Sequence, residues 1–276
     1  MVEIIHVISA LLPLAYALLV YFYLHDFYRD SQKYTRFTSP AMLVTIIFHG
    51  LYLILRSIEF EHPPISSRFE IFSLIAFGLL TLYALIEMRT TVRDTGGFIL
   101  FFALLFQVAS SLFVENTYEV KPVLKNAVIG LHIISALLGY IAITLSATYS
   151  ILYLVLYKKI KTKNYGVFYQ RLPSLELLLK LSSMGYKLGF VFLTVAIVVG
   201  GLWLPIAIPN FSAYDPKLIF TMVIWVLYGI GFLGRTFLHW QNKTLMYFSL
   251  AGFALTITSL IVISFFTSSF HLFSGK

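Results

Sequence analysis

Histidines are the side chains of this chain best suited to hold a metal, because the sequence contains no cysteine. The absence of cysteine excludes a disulfide, a thiolate ligand and a CxxC redox pair. The seven histidines stand at positions 6, 25, 49, 62, 132, 239 and 271. A zinc site usually draws three or four close ligands from local pairs such as HxxxH, and no such pair occurs here. Two distant histidines, one from each of two helices, instead suit a flat ligand held between them.

The composition predicts that these histidines are carried on membrane-spanning helices. Hydrophobic residues make up 59% of the 276 positions and charged residues only 12%, about half the charged share of a soluble domain. Several apolar runs of about 18 residues or more predict an all-α, polytopic membrane protein that forms one domain over residues 1–276. We expect eight transmembrane helices, at roughly 2–24, 40–56, 68–88, 97–114, 127–157, 185–207, 217–239 and 245–270. The first run has no basic n-region and no small-residue cleavage site, which favours a retained helix over a signal peptide.

The net charge of +8 predicts the orientation of these helices and not a nucleic-acid partner, because the cations flank the apolar spans. With the N-terminus outside, fourteen of the twenty Lys and Arg residues lie in inner loops and six in outer segments. The positive-inside rule therefore predicts that both termini are extracytoplasmic, in a multi-pass protein of the cell (plasma or inner) membrane. The segment "LPSLELLLKLSSM" (172–184) has two faces and predicts a short amphipathic helix on the inner membrane surface before the sixth span. The run "KKIKTK" (158–163) is expected to contact anionic lipid of the bilayer.

In this orientation four histidines (His6, His62, His132 and His271) lie near the outer face. The aromatic-rich segment "GGLWLPIAIPNFSAYDPK" (200–217) lies at the same level. His49 lies nearer the middle of the membrane, and His25 and His239 lie toward the inner face. An ionisable residue inside a span is a functional candidate, although a single histidine near a helix end can also do no more than hydrogen-bond at the interface. Several imidazoles beside apolar and aromatic walls are consistent with haem, which is commonly held by axial histidine.

The segment from Gly200 resembles the tryptophan-rich WWD segment of the cytochrome c assembly family, which includes CcsA (ResC), CcmC, CcmF and HemX-type proteins. Gly200 and Trp203 match its GxxW, and Asp215, Pro216 and Lys217 match its DPK. Three further blocks are similar to family blocks in the same order: "LILRSIEFEHPPISSRFE" (53–70), "LHIISALLGYIAITLSATYSILYLV" (131–155) and "SSFHLFSG" (268–275). The resemblance covers nearly the whole chain from about residue 45.

The resemblance implies that the protein receives haem b at an outward-facing site during cytochrome c maturation. It places His132 and His271 on the two external axial ligands of the iron. It places Trp203, Tyr214, Asp215 and Trp225 in or beside the aromatic platform, and makes His62 a further candidate for cofactor binding. His49, from its position near mid-membrane, is a candidate for a membrane-level cofactor site. The resemblance also implies a CcsB- or ResB-like membrane partner and apocytochrome c as partners. The chain would then be the haem-presenting subunit of a synthase, without enzyme activity of its own.

The departures from the family pattern leave other readings open. Ile208 and Ser212 stand where the family has tryptophan, and Leu233 stands where it has a helical histidine. The chain therefore also resembles HemX-type members, which implies a regulator of tetrapyrrole synthesis acting on a cytosolic partner through residues 158–187. A transporter is a third reading, but no pair of broken helices in matching halves supports it. For some residues a purely structural role also stays open. Asp215 can cap the seventh span, and Arg56 and Glu70 can form an ion pair between spans 2 and 3.

Overall fold

The computed structural model describes residues 1–29, 33–90, 92–113, 126–207 and 214–265, together with Asn116, Tyr118 and Ser212. Within these residues the secondary structure consists of α-helices without strands. The helices are α1 (Val2–Arg29), α2 (Thr35–Phe60), α3 (Arg68–Thr90), α4 (Gly96–Phe113), α5 (Ala127–Lys161), α6 (Val167–Arg171), α7 (Leu175–Ala207), α8 (Pro216–Phe237) and α9 (Asn242–Phe265). Eight of them, all but α6, are long and apolar enough to cross a membrane. The prediction of an all-α fold with eight transmembrane helices is confirmed.

The prediction of a separate surface helix over residues 172–184 is wrong. Residues 175–184 form the first turns of α7, which continues without a break to Ala207. Ser174 caps the start of this helix, since its Oγ accepts a hydrogen bond from the backbone N–H of Leu177 at 3.2 Å. Gly185 does not end the segment, because it keeps a negative φ and brings α7 against the backbone of α5. The only separate short helix described in this loop is α6.

The helices group into two compact units. The first comprises Met1–Tyr118 and Lys159–Pro173, and the second comprises Glu119–Lys158 and Ser174–Lys276. The first unit therefore contains α1 to α4 and α6, and the second contains most of α5 with α7, α8 and α9. The expectation of a single domain stays a prediction, and each unit is described by itself below.

At one end of the first unit, a buried ion pair joins α2 to α3. The Nε atom of Arg56 lies 2.7 Å from Oε1 of Glu70, and the two side chains are 2% and 1% exposed. Glu70 also caps α3: its Oε2 accepts from the backbone N–H of Ser67 at 3.1 Å, while Ser67 Oγ accepts from the backbone N–H of Glu70 at 3.1 Å. This reciprocal arrangement is a capping box. The predicted pairing of Arg56 with Glu70 is confirmed, and the capping role of the carboxylate accompanies it.

At the opposite end of the first unit, the carboxylate of Glu87 on α3 joins three other segments. Its Oε2 accepts a hydrogen bond from the hydroxyl of Tyr23 on α1 at 2.5 Å, and its Oε1 accepts from Ser39 on α2 at 3.1 Å. Arg93, in the turn before α4, pairs with Oε1 at 3.2 Å. Because Glu87 is buried, these three partners supply the polar contacts that lipid could not.

Small residues let α5 and α7 of the second unit pack closely in antiparallel register. Gly139 faces Leu193, and Gly185 faces the backbone of Ala142 and Ser146. One turn further, the Oγ of Ser146 donates to the carbonyl oxygen of Ser182 at 2.9 Å. Glycine and serine at a helix interface allow close backbone approach and interhelical hydrogen bonds, which drive association where lipid gives little hydrophobic force.

We expect Gly185→Val to destabilise the second unit. A Cβ at this position would lie 2.9 Å from the carbonyl oxygen of Ala142, and because that neighbour is backbone, the helices must separate. Overpacking of this kind costs about 1–3 kcal/mol, which lowers the thermal midpoint of a chain this size by about 5 °C. Differential scanning fluorimetry in mild detergent measures the shift. The matched control is Gly201→Val on the same helix, where a Cβ meets open space; an equal loss in both variants contradicts the close-packing argument.

Candidate functional site

His132, in the second turn of α5, makes the contact from which the site is built. Its Nδ1 atom lies 2.8 Å from the carbonyl oxygen of Ala196 on α7. A carbonyl oxygen can only accept, so Nδ1 carries the hydrogen and the neutral ring has its lone pair on Nε2. A second bond that orients one ring nitrogen and leaves the other to coordinate is the usual arrangement of a metal-binding histidine.

Gly200 provides the space that the His132 ring occupies. A Cβ on Gly200 would lie 2.7 Å from both Nδ1 and Cε1 of this imidazole. Ala196 and Gly200 are one helical turn apart, so together they form a shallow cradle on α7. The missing side chain at Gly200 therefore lets the ring approach the helix backbone.

Trp203 lies on the same face of α7 as this cradle. It follows Ala196 by seven residues, close to two full turns, and stands about 4.5 Å beyond Gly200 along the axis. Its indole Nε1 is buried, and among the described residues no acceptor reaches it. A buried donor without an acceptor costs free energy unless a ligand or water supplies one.

Asp215 and Lys217 open α8 at the same end of the second unit. The Oδ1 of Asp215 accepts from the backbone N–H of Lys217 at 2.9 Å, with Pro216 at the first helical position. The capping role of Asp215 is therefore confirmed. The ammonium of Lys217 is close enough to Asp215 and His132 for electrostatic interaction with both. Tyr214 is 85% exposed, so its ring is accessible from outside the unit.

Trp225 lies deeper in the second unit and bridges α7 and α8. Its indole Nε1 donates to Oγ1 of Thr194 at 2.8 Å, and its ring stacks on Phe190 with centroids 5.9 Å apart. Thr194 precedes Ala196 by two residues, so the bond of Trp225 lies about 3 Å along α7 from that of His132. Because its donor is already engaged, Trp225 differs from Trp203 in having no polar group to offer a ligand.

His271, the predicted second ligand, lies outside the described residues, as does Ile208. The described part of α9 runs antiparallel to α8: Gly252 faces Tyr228, and Gly234 faces Trp240, two residues before α9 begins. The helix therefore returns to the end at which α8 begins, and its described residues end there at Phe265. The approach of the chain toward the His132 end is compatible with the predicted pairing.

His49 and His62 belong to the first unit. The Nδ1 of His62 lies 2.8 Å from the carbonyl oxygen of Pro63, so this ring also carries its lone pair on Nε2 and remains a candidate ligand. Both nitrogens of His49 have partners: Nδ1 lies 2.9 Å from the hydroxyl of Tyr16, and Nε2 lies 2.9 Å from Oγ of Ser73. A metal at His49 would have to displace one of them.

The described part of the second unit fits an axially bound, flat metal complex better than a bare ion. No group of three or more His, Cys, Asp or Glu side chains comes together among the described residues. One oriented imidazole, an unsatisfied indole N–H and a lysine ammonium lie at one end instead. An axial nitrogen, an aromatic wall and donors for an acidic edge are what a haem with its propionates requires.

The sequence predicts site roles for His132, Trp203 and Asp215, which stay predictions, and it does not predict the residues that contact the imidazole. Ala196 contributes only a backbone carbonyl, which no side-chain pattern reveals. Gly200 was recognised as part of a motif and not as a contact of His132. The available signal is the spacing of small residues at positions 196 and 200, which marks a face of α7 where another element approaches.

The chain matches a sequence model of the family described as "Cytochrome C assembly protein" over residues 65–272. It is 26% identical to the "Cytochrome c biogenesis protein CcsA" of Heterosigma akashiwo over 255 residues, which cover 80% of this chain and 79% of the relative. It is 22% identical to the protein of the same name from Trieres chinensis over 289 residues, covering 94% and 93%. It is also 23% identical to "Protein HemX" of Brevibacillus brevis over 267 residues, covering 93% and 94%.

We expect Gly200→Ala to displace the His132 imidazole from Ala196, because the new methyl group would occupy the position of the ring edge. In solid-state NMR of ¹⁵N-histidine-labelled protein in bilayers, His132 of the wild type should show a protonated Nδ1 and an unprotonated Nε2. Gly200→Ala should lose this single tautomer. Gly201→Ala, where the Cβ meets nothing within 4 Å, should keep it. An unchanged His132 spectrum in Gly200→Ala would show that the cradle does not set the ring position.

Proposed function

The chain belongs to the cytochrome c assembly protein family, and from this premise we propose that it holds haem at an extracytoplasmic site in the second unit. Membership supports a role in cytochrome c biogenesis. The observation that carries the finer proposal is the 2.8 Å contact between Nδ1 of His132 and the carbonyl of Ala196, because it directs the lone pair to Nε2.

In this proposal, His132 and His271 would hold the haem iron. When bound, haem b would supply an iron centre that accepts imidazole nitrogen. The protein's part is to keep the His132 ring neutral, oriented and close to α7. Burial disfavours the charged form of the ring, the backbone carbonyl of Ala196 orients it, and the missing side chain of Gly200 lets it lie close to α7. Orientation by a backbone acceptor also increases the basicity of the coordinating nitrogen.

Two other side chains would recognise the periphery of the ligand. The indole N–H of Trp203, which no described residue accepts, and the ammonium of Lys217 are both suited to a propionate carboxylate, since charge-assisted hydrogen bonds are the stronger kind. The exposed ring of Tyr214 would add aromatic surface. Asp215 keeps the first turn of α8 in place and so positions Lys217. Trp225 supports the site through Thr194, two residues from Ala196.

The orientation and the partners are part of the same proposal. The excess of Lys and Arg on the opposite side supports an orientation in which the His132 end faces outward from the cell membrane. Haem presented there would be available to a CcsB- or ResB-like partner that contacts apocytochrome c. The chain contains no thiol, so the thioether-forming cysteines would come from the apocytochrome.

The second candidate is a HemX-type regulator of tetrapyrrole synthesis. The match to "Protein HemX" over 93% of this chain and the loss of tryptophan at Ile208 and Ser212 favour it. In that case, the exposed lysines of residues 158–163 and the loop that follows them would contact a cytosolic partner.

Purification in mild detergent followed by absorption and EPR spectroscopy tests the haem site. We expect a low-spin, bis-histidine spectrum in the wild type. His132→Ala and His271→Ala should each convert or abolish this signal, because each removes one axial nitrogen, and added imidazole should restore it. The matched control is His239→Ala, since His239 follows the other end of α8, at the turn before α9.

A wild-type protein without haem, purified from haem-replete cells, contradicts the proposed site. Co-purification of that protein with a tetrapyrrole enzyme would support the regulator instead. A haem spectrum that survives both histidine substitutions would leave haem binding intact and refute the assigned ligands.

A further inference from the structure

A closed set of hydrogen bonds joins the four long helices of the first unit around His49. It runs from Tyr16 on α1 through His49 on α2, Ser73 on α3 and two residues of α4 back to Ser9 on α1. The heavy-atom distances are 2.9 Å (Tyr16–His49), 2.9 Å (His49–Ser73), 3.2 Å (Ser73–Gln107), 3.1 Å (Gln107–Ser111) and 2.7 Å (Ser111–Ser9 carbonyl). We call these six residues the polar ring.

The hydrogen bonds of the polar ring have a fixed donor-to-acceptor direction, and a proline in α1 determines it. In a helix the carbonyl of Ser9 would accept from the backbone N–H of residue 13, but residue 13 is Pro13 and has no N–H. The hydroxyl of Ser111 donates to this carbonyl at 2.7 Å. In the hydrocarbon layer a bare carbonyl is costly, so this bond takes the single hydrogen of Ser111.

Because Ser111 donates its hydrogen to the Ser9 carbonyl, the position of every other hydrogen in the polar ring is determined. Since Ser111 has no hydrogen left, Gln107 must present its amide nitrogen to it and its amide oxygen to Ser73. Ser73 donates its hydrogen to that oxygen. It therefore has none to donate to His49, and it must accept from Nε2–H of that ring. The neutral imidazole then has its lone pair on Nδ1, which accepts from the hydroxyl of Tyr16. In the reverse direction Ser111 would donate to the amide oxygen of Gln107, which would leave the Ser9 carbonyl without a donor. The hydroxyl of Ser9, 3.5 Å from Ser111 Oγ, can donate to that oxygen without changing the direction.

We propose that Pro13, acting through the polar ring, holds His49 as the Nε2–H tautomer and reserves it for helix packing, so that it is not a haem ligand. The lone pair of His49 points at Tyr16 on a fully buried edge of the ring. His132 is held in the opposite tautomer, with its lone pair on Nε2. The two histidines thus have different tasks, and the assignment for His49 does not rest on the proposed haem site.

The test is solid-state NMR of the full-length, ¹⁵N-histidine-labelled protein in lipid bilayers, with the His49 signals identified by their loss in His49→Gln. We expect a protonated Nε2 and an unprotonated Nδ1 in the wild type. Tyr16→Phe should shift Nδ1 alone, because Ser73 still accepts from Nε2–H. Ser73→Ala removes that acceptor and separates His49 from the rest of the polar ring, so a second His49 tautomer should appear. Pro13→Ala restores the helical donor to the Ser9 carbonyl and frees the hydrogen of Ser111, so a second His49 tautomer should appear.

A wild-type His49 protonated on Nδ1, or a Pro13→Ala spectrum identical to the wild type, overturns the proposal. Each single-bond variant should also lower the thermal midpoint by about 2–3 °C, whereas the lipid-facing Ile47→Ala on the same helix should not. If the preparation contains haem, His49→Gln should leave its absorption and EPR spectra unchanged, and loss of an axial signal also overturns the proposal. If it contains no haem, the tautomer measurements decide alone, so the two proposals fail separately.

Discussion

The absence of water from the hydrocarbon layer is the constraint that shapes this molecule. A polar side chain buried there must find its partner within the protein or lose several kilocalories per mole. In the first unit that requirement is met at three levels: by Arg56 with Glu70, by the polar ring around His49, and by Glu87 with Tyr23. Each level crosses helix boundaries, so the polar contacts specify which helices are neighbours while apolar side chains face lipid.

The same constraint gives two intramembrane histidines different chemistry. Each ring must satisfy at least one nitrogen within the protein, and the acceptor it finds decides where the lone pair lies. At His132 the acceptor is a backbone carbonyl, which leaves Nε2 as the basic atom. At His49 the hydroxyl of Ser73 donates its hydrogen to Gln107 and therefore accepts from Nε2–H. The presence of a histidine in a span therefore says little about function until the residues around it are known. Residue type alone would make His49 and His132 equal candidates for a metal ligand.

How much of the structure the sequence predicts depends on how far apart along the chain the interacting residues lie. The spans were predictable because apolar length is a local property, and the cap at Asp215 and Pro216 was predictable because a helix start is also local. The capping box at Glu70 and its pairing with Arg56 depend on motif spacing and one loop. The surface helix at 172–184 failed because two-faced character in a short window does not show where a helix ends, and Gly185 serves close packing. The polar ring needs the register of four helices at once, which no local pattern contains.

The glycine and serine contacts between α5 and α7 have a consequence for the connection between these helices. Sliding one helix by a single residue would move His132 by about 1.5 Å and rotate it by about 100 degrees, out of reach of Ala196. Because Gly139, Gly185 and Ser146 prevent that slide well below the site, residues 162–166, between α5 and α6, are not needed to hold the register. An insertion there should leave the imidazole in place, whereas an insertion within α5 or α7 should move it.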